Sequence, residues 1–377
     1  MNALILSCGT GGGHDAAGKA LYEEMKKRGH QVTMLNPYTL KSTKLSGRID
    51  RTYISTVQHV PRAFGVVYKI GNIYRRLPFR SPIYFVNRGM TNVMQKYFAE
   101  HPVDIVIMPH LFPAEIMTNM KHHGIQIPKT MFIATDYVCT PFTEETDCDA
   151  YVIPAADLTE EFVGKGIPRE KLYPLGIPTN SSFLEERTRE QEKQLLGLKT
   201  DKKYILITGG SMGGGKIEKT IEELQNFSSD REDVELIVIC GSNQKLYQKL
   251  QEKNSPGVTV LEHTDRMASY MRASHLFITK PGGLSSTEAA VCHVPILHTS
   301  AIPGCESCNA DYFAGHGMSI SENLTDELPR IVDEVLQNTD KSAEMMTCQK
   351  NTINKAAAAD ICRLAEQLVS EAFSGND

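Results

Sequence analysis

Short apolar runs of strand length alternate along the chain with segments of helical periodicity. In the first half, these runs occupy residues 3–6, 32–35, 104–108, 129–134, 150–153 and 171–175. In the second half they occupy residues 204–208, 234–240, 258–261, 276–279 and 294–298. Strands that alternate with helices predict a parallel sheet covered by helices on both faces. The fold class predicted for each half is therefore α/β.

Length and local composition predict two domains. A chain of 377 residues is long for a single hydrophobic core. Residues 177–198 are polar and charged, which suits a connection between domains. We place the boundary at Pro178, giving a first domain over 1–178 and a second over 179–355. An alanine-rich segment, 356–377, is predicted to be helical over 356–373.

Glycine-containing turns follow the predicted strands that end at Leu6, Thr208 and Thr279. Parallel sheets bind their ligands at the carboxyl ends of the strands. We therefore expect these turns to line one shared cleft between the two halves.

The turn after Thr279 has the chemistry of a nucleotide site. The turn and the start of the next helix, expected near Leu284, comprise Pro281, Gly282, Gly283, Leu284, Ser285 and Ser286. A helix N-terminus directs unpaired N–H groups and partial positive charge toward an anion. The hydroxyls of Ser285, Ser286 and Thr287 add donors, and Glu288 is placed to accept from both hydroxyls of a ribose.

Composition narrows the class of protein. The chain is 41% hydrophobic and 23% charged, as in an ordinary globular protein, and its net charge of −5 predicts no general affinity for nucleic acid. No apolar run reaches the roughly 18 residues of a membrane span, and the N-terminus lacks the features of a signal peptide. Nine scattered cysteines indicate a reducing cytosol.

One segment departs from the acidic average. Residues 41–98 contain eleven Lys or Arg, the single acid Asp50, and nine of the 27 Phe and Tyr residues. Basic and aromatic side chains together favour docking on an anionic membrane. The candidates are Arg62, Phe64, Tyr68, Arg75, Arg76, Phe79 and Arg80. The alternative is a solvated face with core aromatics; RNA binding lacks a recognition motif here.

Several motifs resemble those of one enzyme group. They are SCGTGGGHDAAGKA, FIATDYV, GGSMGGG, TKPGGLSSTEA and PGCESCNA, in the same order along most of the chain. They are similar to the GT-B glycosyltransferases that include monogalactosyldiacylglycerol synthases, processive diacylglycerol glucosyltransferases and the glycosyltransferase that makes lipid II. The resemblance implies a GT-B fold, two Rossmann-like domains facing a cleft, with a final helix that returns to the first domain.

His14 and Asp136 are the catalytic candidates. At a helix N-terminus the dipole disfavours imidazolium, so His14 stays neutral and able to accept a proton. Its position alone equally fits a helix cap; the resemblance implies the catalytic base. Gly12 and Gly13 would allow the substrates to approach the backbone. Asp136 matches the TD pair and could assist the base, hold the acceptor or cap a turn.

The resemblance also implies a UDP-sugar site in the second domain. Glu288 would bind the ribose, and Glu306 and Asn309, in a loop, would lie near the hexose. Cys305 departs from the Gln-Glu pair common in the family, which leaves the sugar open. The loops implied to hold diphosphate and uracil contribute Ser211, Met212, Gly213, Gly214, Thr264, Arg266 and Met267.

Three other patterns resemble nucleotide- or metal-binding motifs but do not complete them. The sequence from Gly210 to Lys216 fits a P-loop, but Ile217 replaces its Ser or Thr. Asp147-Cys-Asp149 is interpreted as a turn entering a strand, and Cys305 with Cys308 lacks the second pair of a zinc site. We therefore expect no metal or cofactor, because helix dipoles and loop N–H groups can stabilise the departing UDP.

The sequence predicts an inverting transferase that moves a hexose from UDP-glucose or UDP-galactose to the hydroxyl of a membrane lipid. Diacylglycerol is the favoured acceptor, and the reaction is expected on the inner face of the cell membrane. Alternatives are another lipid acceptor such as an undecaprenyl-linked intermediate, a UDP-sugar epimerase, and a non-catalytic nucleotide-sugar-binding regulator.

Overall fold

The computed structural model describes residues 1–9, 12–42, 80–229, 231–299, 301–321 and 327–374. Within this part of the chain, strands and helices form two units, each built on a six-stranded parallel sheet. The predicted α/β class is confirmed. One unit comprises Met1–Ser181, Pro303–Cys305 and Asn354–Asp377; the other comprises Ser182–Ile302 and Glu306–Ile353.

The first sheet has the strand order β2-β1-β3-β4-β5-β6. Its strands are β1 Asn2–Leu6, β2 Gln31–Leu35, β3 Ile105–Met108, β4 Lys129–Ile133, β5 Ala150–Val152 and β6 Leu172–Tyr173. The chain reverses its direction of travel across the sheet between β1 and β3, where Ile5 is in register with Ile107. In such sheets the ligand crevice forms at this switch point.

Helices cover both faces of the first sheet. They are α1 Gly12–Lys27, α2 Pro82–Arg88, α3 Thr91–Glu100, α4 Leu111–His122, α5 Thr159–Gly164 and the C-terminal helix, Ala357–Ser374. The C-terminal helix buries Ile361, Cys362 and Ala365 in the same apolar core as Ile5 and Ile107. Its apolar stripe is therefore part of the core of this unit.

The second sheet has the order β12-β11-β10-β7-β8-β9, the order of a dinucleotide-binding fold. Its strands are β7 Lys203–Thr208, β8 Val234–Ile239, β9 Val258–Leu261, β10 Leu276–Thr279, β11 Ile296–His298 and β12 Ile320–Ser321. Its switch point lies between β7 and β10, which pair directly. The two-residue strand β12 was not predicted, because so short a run shows no periodicity.

The helices of the second unit are α6 Arg189–Leu196, α7 Ile217–Ser229, α8 Gln244–Lys253, α9 Met267–Ala273, α10 Gly283–Val291, α11 Cys305–Gly315, α12 Leu328–Gln337 and α13 Thr339–Thr352. Helix α6 lies in the stretch that was interpreted as a polar connection. A capping box between Thr188 and Gln191 starts it. The buried Glu192 carboxylate then accepts from Arg272 Nε at 2.6 Å, which fixes α6 against α9.

Candidate active site

His14 lies in the first turn of α1, beyond the carboxyl end of β1. Its Nδ1 is 2.7 Å from the carbonyl oxygen of Pro109. A carbonyl only accepts hydrogen bonds, so Nδ1 carries the ring proton and donates it. In the neutral ring, Nε2 then holds the lone pair. His14 is thus oriented as a base that acts through Nε2.

The sheet topology explains this contact between residues 95 positions apart. Strands β1 and β3 are neighbours, so the segments after them meet at the switch point of the sheet. Thr135, which follows β4, adds its hydroxyl 3.0 Å from the same Nδ1. Neither Pro109 nor Thr135 was predicted, because the sequence alone does not give strand order.

His110 is a second imidazole beside His14 and was also missed. The two rings meet edge to face with centroids 4.6 Å apart. His110 Nδ1 accepts from the backbone N–H of Phe112 at 3.1 Å, and burial lowers the pKa of His110 well below its ordinary value. His110 is therefore a neutral neighbour that adds no positive charge when His14 takes a proton. His110 follows the predicted strand segment 104–108 after one intervening residue, and this position at a strand end was the available signal.

An apolar cavity of about 180 Å³ adjoins His14 and His110 within the first unit. Asp136 is half-buried in its wall. Phe142 also contributes and holds a left-handed backbone conformation, with φ of 73°, which is uncommon for a bulky residue. The apolar lining includes Pro109, Leu111, Phe112, Phe132, Val138, Pro141, Phe142 and Phe162. Such a cavity suits an apolar group presented to a base.

In the second unit, the Pro-Gly-Gly turn leads from β10 into α10 as predicted. Gly282 is the N-cap residue and the helix begins at Gly283, one residue before the expected Leu284. Ser285 remains half-buried, with its hydroxyl 3.3 Å from the Gly282 carbonyl. The N-cap glycine has no side chain to cap the first backbone N–H groups of α10, which suits an anion, and the predicted diphosphate contact stays a prediction.

The hydroxyls of Ser286 and Thr287, in the same helix, are directed into the protein. Ser286 is fully buried, and its Oγ lies 2.9 Å from His298 Nε2. Thr287 donates its hydroxyl proton to the Gly283 carbonyl at 2.7 Å. The expectation that their hydroxyls offer donors to a nucleotide is wrong, because both face the inward side of α10. The sequence did not show which side of this short helix packs inward.

The glycine-serine loop after β7 passes close to the end of β8. At Gly213, with φ of 58°, an added Cβ would lie 2.0 Å from the Cys240 carbonyl oxygen. Glycine is therefore required here on both conformational and steric grounds. Ser211, Met212 and Gly214 complete the turn, with Ser211 exposed. The packing at Gly213 supports a structural role, and the contact of this loop with a diphosphate stays a prediction.

Glu306 and Asn309 lie in helix α11 and not in the predicted loop. Asn309 is fully buried and donates from Nδ2 to the Pro281 carbonyl at 3.1 Å, so it braces the Pro-Gly-Gly turn and is not accessible to a hexose. Glu306 Oε1 is 2.5 Å from Lys280 Nζ. Lys280 was not among the predicted residues, although it stands between β10 and the turn.

Glu288 is half-buried on α10, and burial raises the pKa of its carboxyl group to about 8. A ligand that brings hydroxyl donors would stabilise the ionised form of this carboxyl group. This environment fits the predicted contact with a ribose.

The loop after β9 is held in place by its own side chains. The backbone N–H of Arg266 donates to Thr264 Oγ1 at 3.0 Å, and the Arg266 guanidinium donates to the Leu195 carbonyl at 2.8 Å. Met267 begins α9. These contacts anchor the loop that the resemblance implies for the uracil ring, and that role stays a prediction.

Asp147 and Asp149 have structural partners, as interpreted. Asp147 pairs with Lys121 and Lys171 at 2.9 and 2.8 Å, and Asp149 accepts from Thr130. Across the described residues, no group of three or more His, Cys, Asp or Glu side chains is arranged to hold a metal ion.

Most of the basic, aromatic stretch lies outside the described residues, including Arg62, Phe64, Tyr68, Arg75, Arg76 and Phe79. Arg80 is described, and its guanidinium donates to the Glu145 carbonyl at 2.6 Å and lies over the Tyr84 ring. These contacts hold the Arg80 side chain against the fold, and the expectation that it reaches a headgroup stays a prediction. Phe85 and Val86 on α2 are 58% and 70% exposed. None of the helices in the described part of the chain is long and apolar enough to span a membrane.

Two family models match the chain. The monogalactosyldiacylglycerol synthase model matches residues 14–179, and the glycosyltransferase family 28 C-terminal domain model matches residues 204–361. The first match contains His14, Pro109 and Asp136. The second contains the glycine-serine loop, Glu288 and Glu306.

Individual proteins are similar to the chain in sequence or in fold. The chain is 27% identical over 349 residues to the processive diacylglycerol beta-glucosyltransferase of Bacillus licheniformis, covering 91% of this chain and 89% of that protein. Its fold is similar to that of MurG from Acinetobacter baumannii, with a TM-score of 0.63, 16% identity, and coverage of 97% and 99%. It is also similar to that of the UDP-GlcNAc 2-epimerase from Neisseria meningitidis, with a TM-score of 0.63, 12% identity, and coverage of 97% and 100%.

Proposed function

We propose that this chain, which belongs to the GT-B glycosyltransferases of the monogalactosyldiacylglycerol synthase and family 28 group, transfers a hexose from UDP-glucose or UDP-galactose to the hydroxyl of diacylglycerol. One observation carries the proposal. His14 donates from Nδ1 to the Pro109 carbonyl, so its basic Nε2 is available beside an apolar cavity. A base next to an apolar pocket suits an acceptor that joins a hydroxyl to hydrocarbon.

The proposed reaction is a single displacement. The lipid hydroxyl gives its proton to His14 Nε2 while its oxygen attacks the anomeric carbon. The bond from that carbon to the UDP oxygen breaks, and UDP leaves with the electron pair. Attack opposite UDP turns an α-linked donor into a β-linked product. Asp136, in the cavity wall, would orient the acceptor or assist the base.

The cavity size supports entry of one end of the lipid. A volume of about 180 Å³ is too small for two whole acyl chains. The hydroxyl would therefore meet His14 in the cavity wall, the adjoining hydrocarbon would pack among the phenylalanines, and the rest of the chains would remain in the bilayer. Phe85 and Val86 expose apolar surface on α2, and the basic, aromatic stretch precedes them in sequence. We infer peripheral docking on the inner face of the membrane from these features.

The second unit would hold the UDP-sugar. Glu288 would accept from the ribose, the N-terminus of α10 and the glycine-serine loop would meet the diphosphate, and the loop from Thr264 to Met267 would hold the uracil. These backbone donors provide positive potential for the leaving group, so the mechanism assigns no step to a metal.

The test is release of UDP from UDP-glucose and UDP-galactose, with and without diacylglycerol in anionic vesicles. Release that requires both donor and diacylglycerol supports the proposal and identifies the sugar. If turnover occurs only with a polyprenyl-linked lipid, that lipid and not diacylglycerol is the acceptor. Isomerisation of the nucleotide sugar without lipid would indicate an epimerase, and tight donor binding without turnover would indicate a regulator.

A further inference from the structure

Both carboxylate oxygens of Glu306 already have partners. Oε1 is 2.5 Å from Lys280 Nζ, and Oε2 accepts from the backbone N–H of Ile302 at 3.0 Å. The pair is largely sheltered from solvent, with the Lys280 and Glu306 side chains 16% and 14% exposed. The backbone bond fixes one oxygen in place, and the lysine occupies the other.

Lys280 stands at the switch point of the second sheet. It follows β10 directly and precedes the turn into α10. Across the switch point, an added Cβ on Gly210 would lie 3.2 Å from Lys280 Cε, so the lysine stem packs on the glycine-serine loop after β7. The ammonium thus lies close to both backbone elements that would receive a diphosphate.

We infer that the Lys280–Glu306 pair is a latch that the diphosphate of the donor opens. This inference rests on the proposed UDP-sugar site. Phosphate oxygens compete with Glu306 for the Lys280 ammonium, and the exchange leaves Glu306 Oε1 available to accept from a hexose hydroxyl. Oε2 remains bound to the Ile302 N–H, which holds the carboxylate in orientation. Recognition of the hexose is thereby coupled to binding of the diphosphate.

The latch is tested by measuring calorimetric dissociation constants of UMP, UDP and UDP-glucose or UDP-galactose for wild type, Glu306→Gln, Lys280→Met and the double variant. Because a neutral amide holds Lys280 less strongly, Glu306→Gln should bind UDP more tightly, by about 3- to 10-fold. Lys280→Met should weaken the affinity for UDP by about 10- to 100-fold and leave the affinity for UMP nearly unchanged. In the Lys280→Met background, Glu306→Gln should give no gain for UDP.

Lys249→Met is the matched control, because Lys249 pairs with Glu218 on an exposed surface of the same unit. It should leave all three affinities unchanged. Lys280→Arg keeps the positive charge and should retain UDP binding. It replaces Lys280→Met in the comparison if that variant is poorly folded. An unchanged or lower UDP affinity in Glu306→Gln alone would overturn the latch while leaving the proposed function intact. An equal gain from Glu306→Gln in the Lys280→Met background would also overturn it, because the gain would not depend on Lys280. Failure of wild type to bind UDP would overturn both.

Discussion

His14 Nδ1 donates to the carbonyl oxygen of Pro109 over 2.7 Å, from the segment after β1 to the segment after β3. Because a carbonyl cannot donate, this bond selects the ring tautomer and leaves Nε2 basic. The bond also fixes the ring plane, a role that a carboxylate fulfils in other histidine bases. The neutral ring of His110 packs edge to face against the His14 ring, with the two centroids 4.6 Å apart. The strand order thus sets both the position and the protonation pattern of the proposed base.

His14→Ala should reduce hexose transfer by at least about 100-fold, because proton abstraction from the acceptor is lost. UDP affinity and melting temperature should remain close to wild type. The measurement is steady-state release of UDP with saturating diacylglycerol, accompanied by calorimetry with UDP.

His101→Ala is the control for this substitution. His101 is exposed and donates from Nδ1 to the Tyr97 carbonyl at 3.0 Å, away from the cavity. Its loss should leave turnover unchanged. Near-normal turnover in His14→Ala would remove His14 from the mechanism.

Phe142→Ala should raise the KM for diacylglycerol by roughly 3- to 30-fold with a smaller change in kcat, because an apolar wall that binds substrate and transition state alike is removed. The measurement is initial rate against surface concentration of diacylglycerol. Phe98→Ala, on α3 and not in the cavity wall, serves as the control. An unchanged KM in Phe142→Ala would place the acceptor elsewhere.

UDP binding should strengthen as pH rises through about 8. Burial raises the pKa of Glu288 to about 8, and ribose hydroxyls donate to the ionised form. Affinity should therefore rise about tenfold from pH 7 to pH 9 and level off above this pKa. Titration of UDP by calorimetry at each pH measures the effect.

Glu288→Gln removes the titrating group. It should flatten this pH profile and lower the affinity for UDP at pH 9. The remaining slope in the variant reports ionisation of UDP itself. A wild-type profile identical to that of Glu288→Gln would contradict the ribose contact.

Glu115→Gln should stabilise the protein at alkaline pH. Glu115 is fully buried on α4, burial raises its pKa to about 8, and Asn87 donates to it. The folded state therefore holds this proton more tightly than the unfolded state, whose pKa is about 4.5. Stability from the protonated carboxyl is complete below about pH 4.5 and declines as pH rises to about 8.

At pH 9, the free energy of unfolding of Glu115→Gln should exceed that of wild type by roughly 1–3 kcal/mol, with little difference at pH 4.5. Urea unfolding at both pH values measures it. A variant less stable than wild type at pH 9 would show that the Asn87 bond outweighs burial of the charge.

The sequence supported prediction of the fold where signals were local. Apolar runs such as residues 258–261 coincide with β9, and the Pro-Gly-Gly turn begins α10 within one residue of the expectation. Parallel strands buried on both faces have nearly continuous apolar patterns, which makes them readable. Helix α11 was missed at Glu306 because its Pro-Gly approach has the composition of a loop.

Contacts that depend on strand order could not be predicted. Pro109 and His110 reach His14 because β1 and β3 are neighbours, and Lys280 packs on Gly210 because β7 and β10 are neighbours. Ser286 illustrates a further limit, since only packing decides which side of a short helix faces inward. Motifs identified the elements of the candidate site, and topology determined which side chains meet.

The most direct measurement is structural analysis of the lipid product after incubation with ¹³C-labelled UDP-hexose and diacylglycerol vesicles. The account predicts a hexosyl-diacylglycerol whose labelled anomeric carbon is β-linked by NMR, formed by wild type and absent with His14→Ala. Label that remains in nucleotide sugar or its epimer, with no labelled glycolipid, would contradict it.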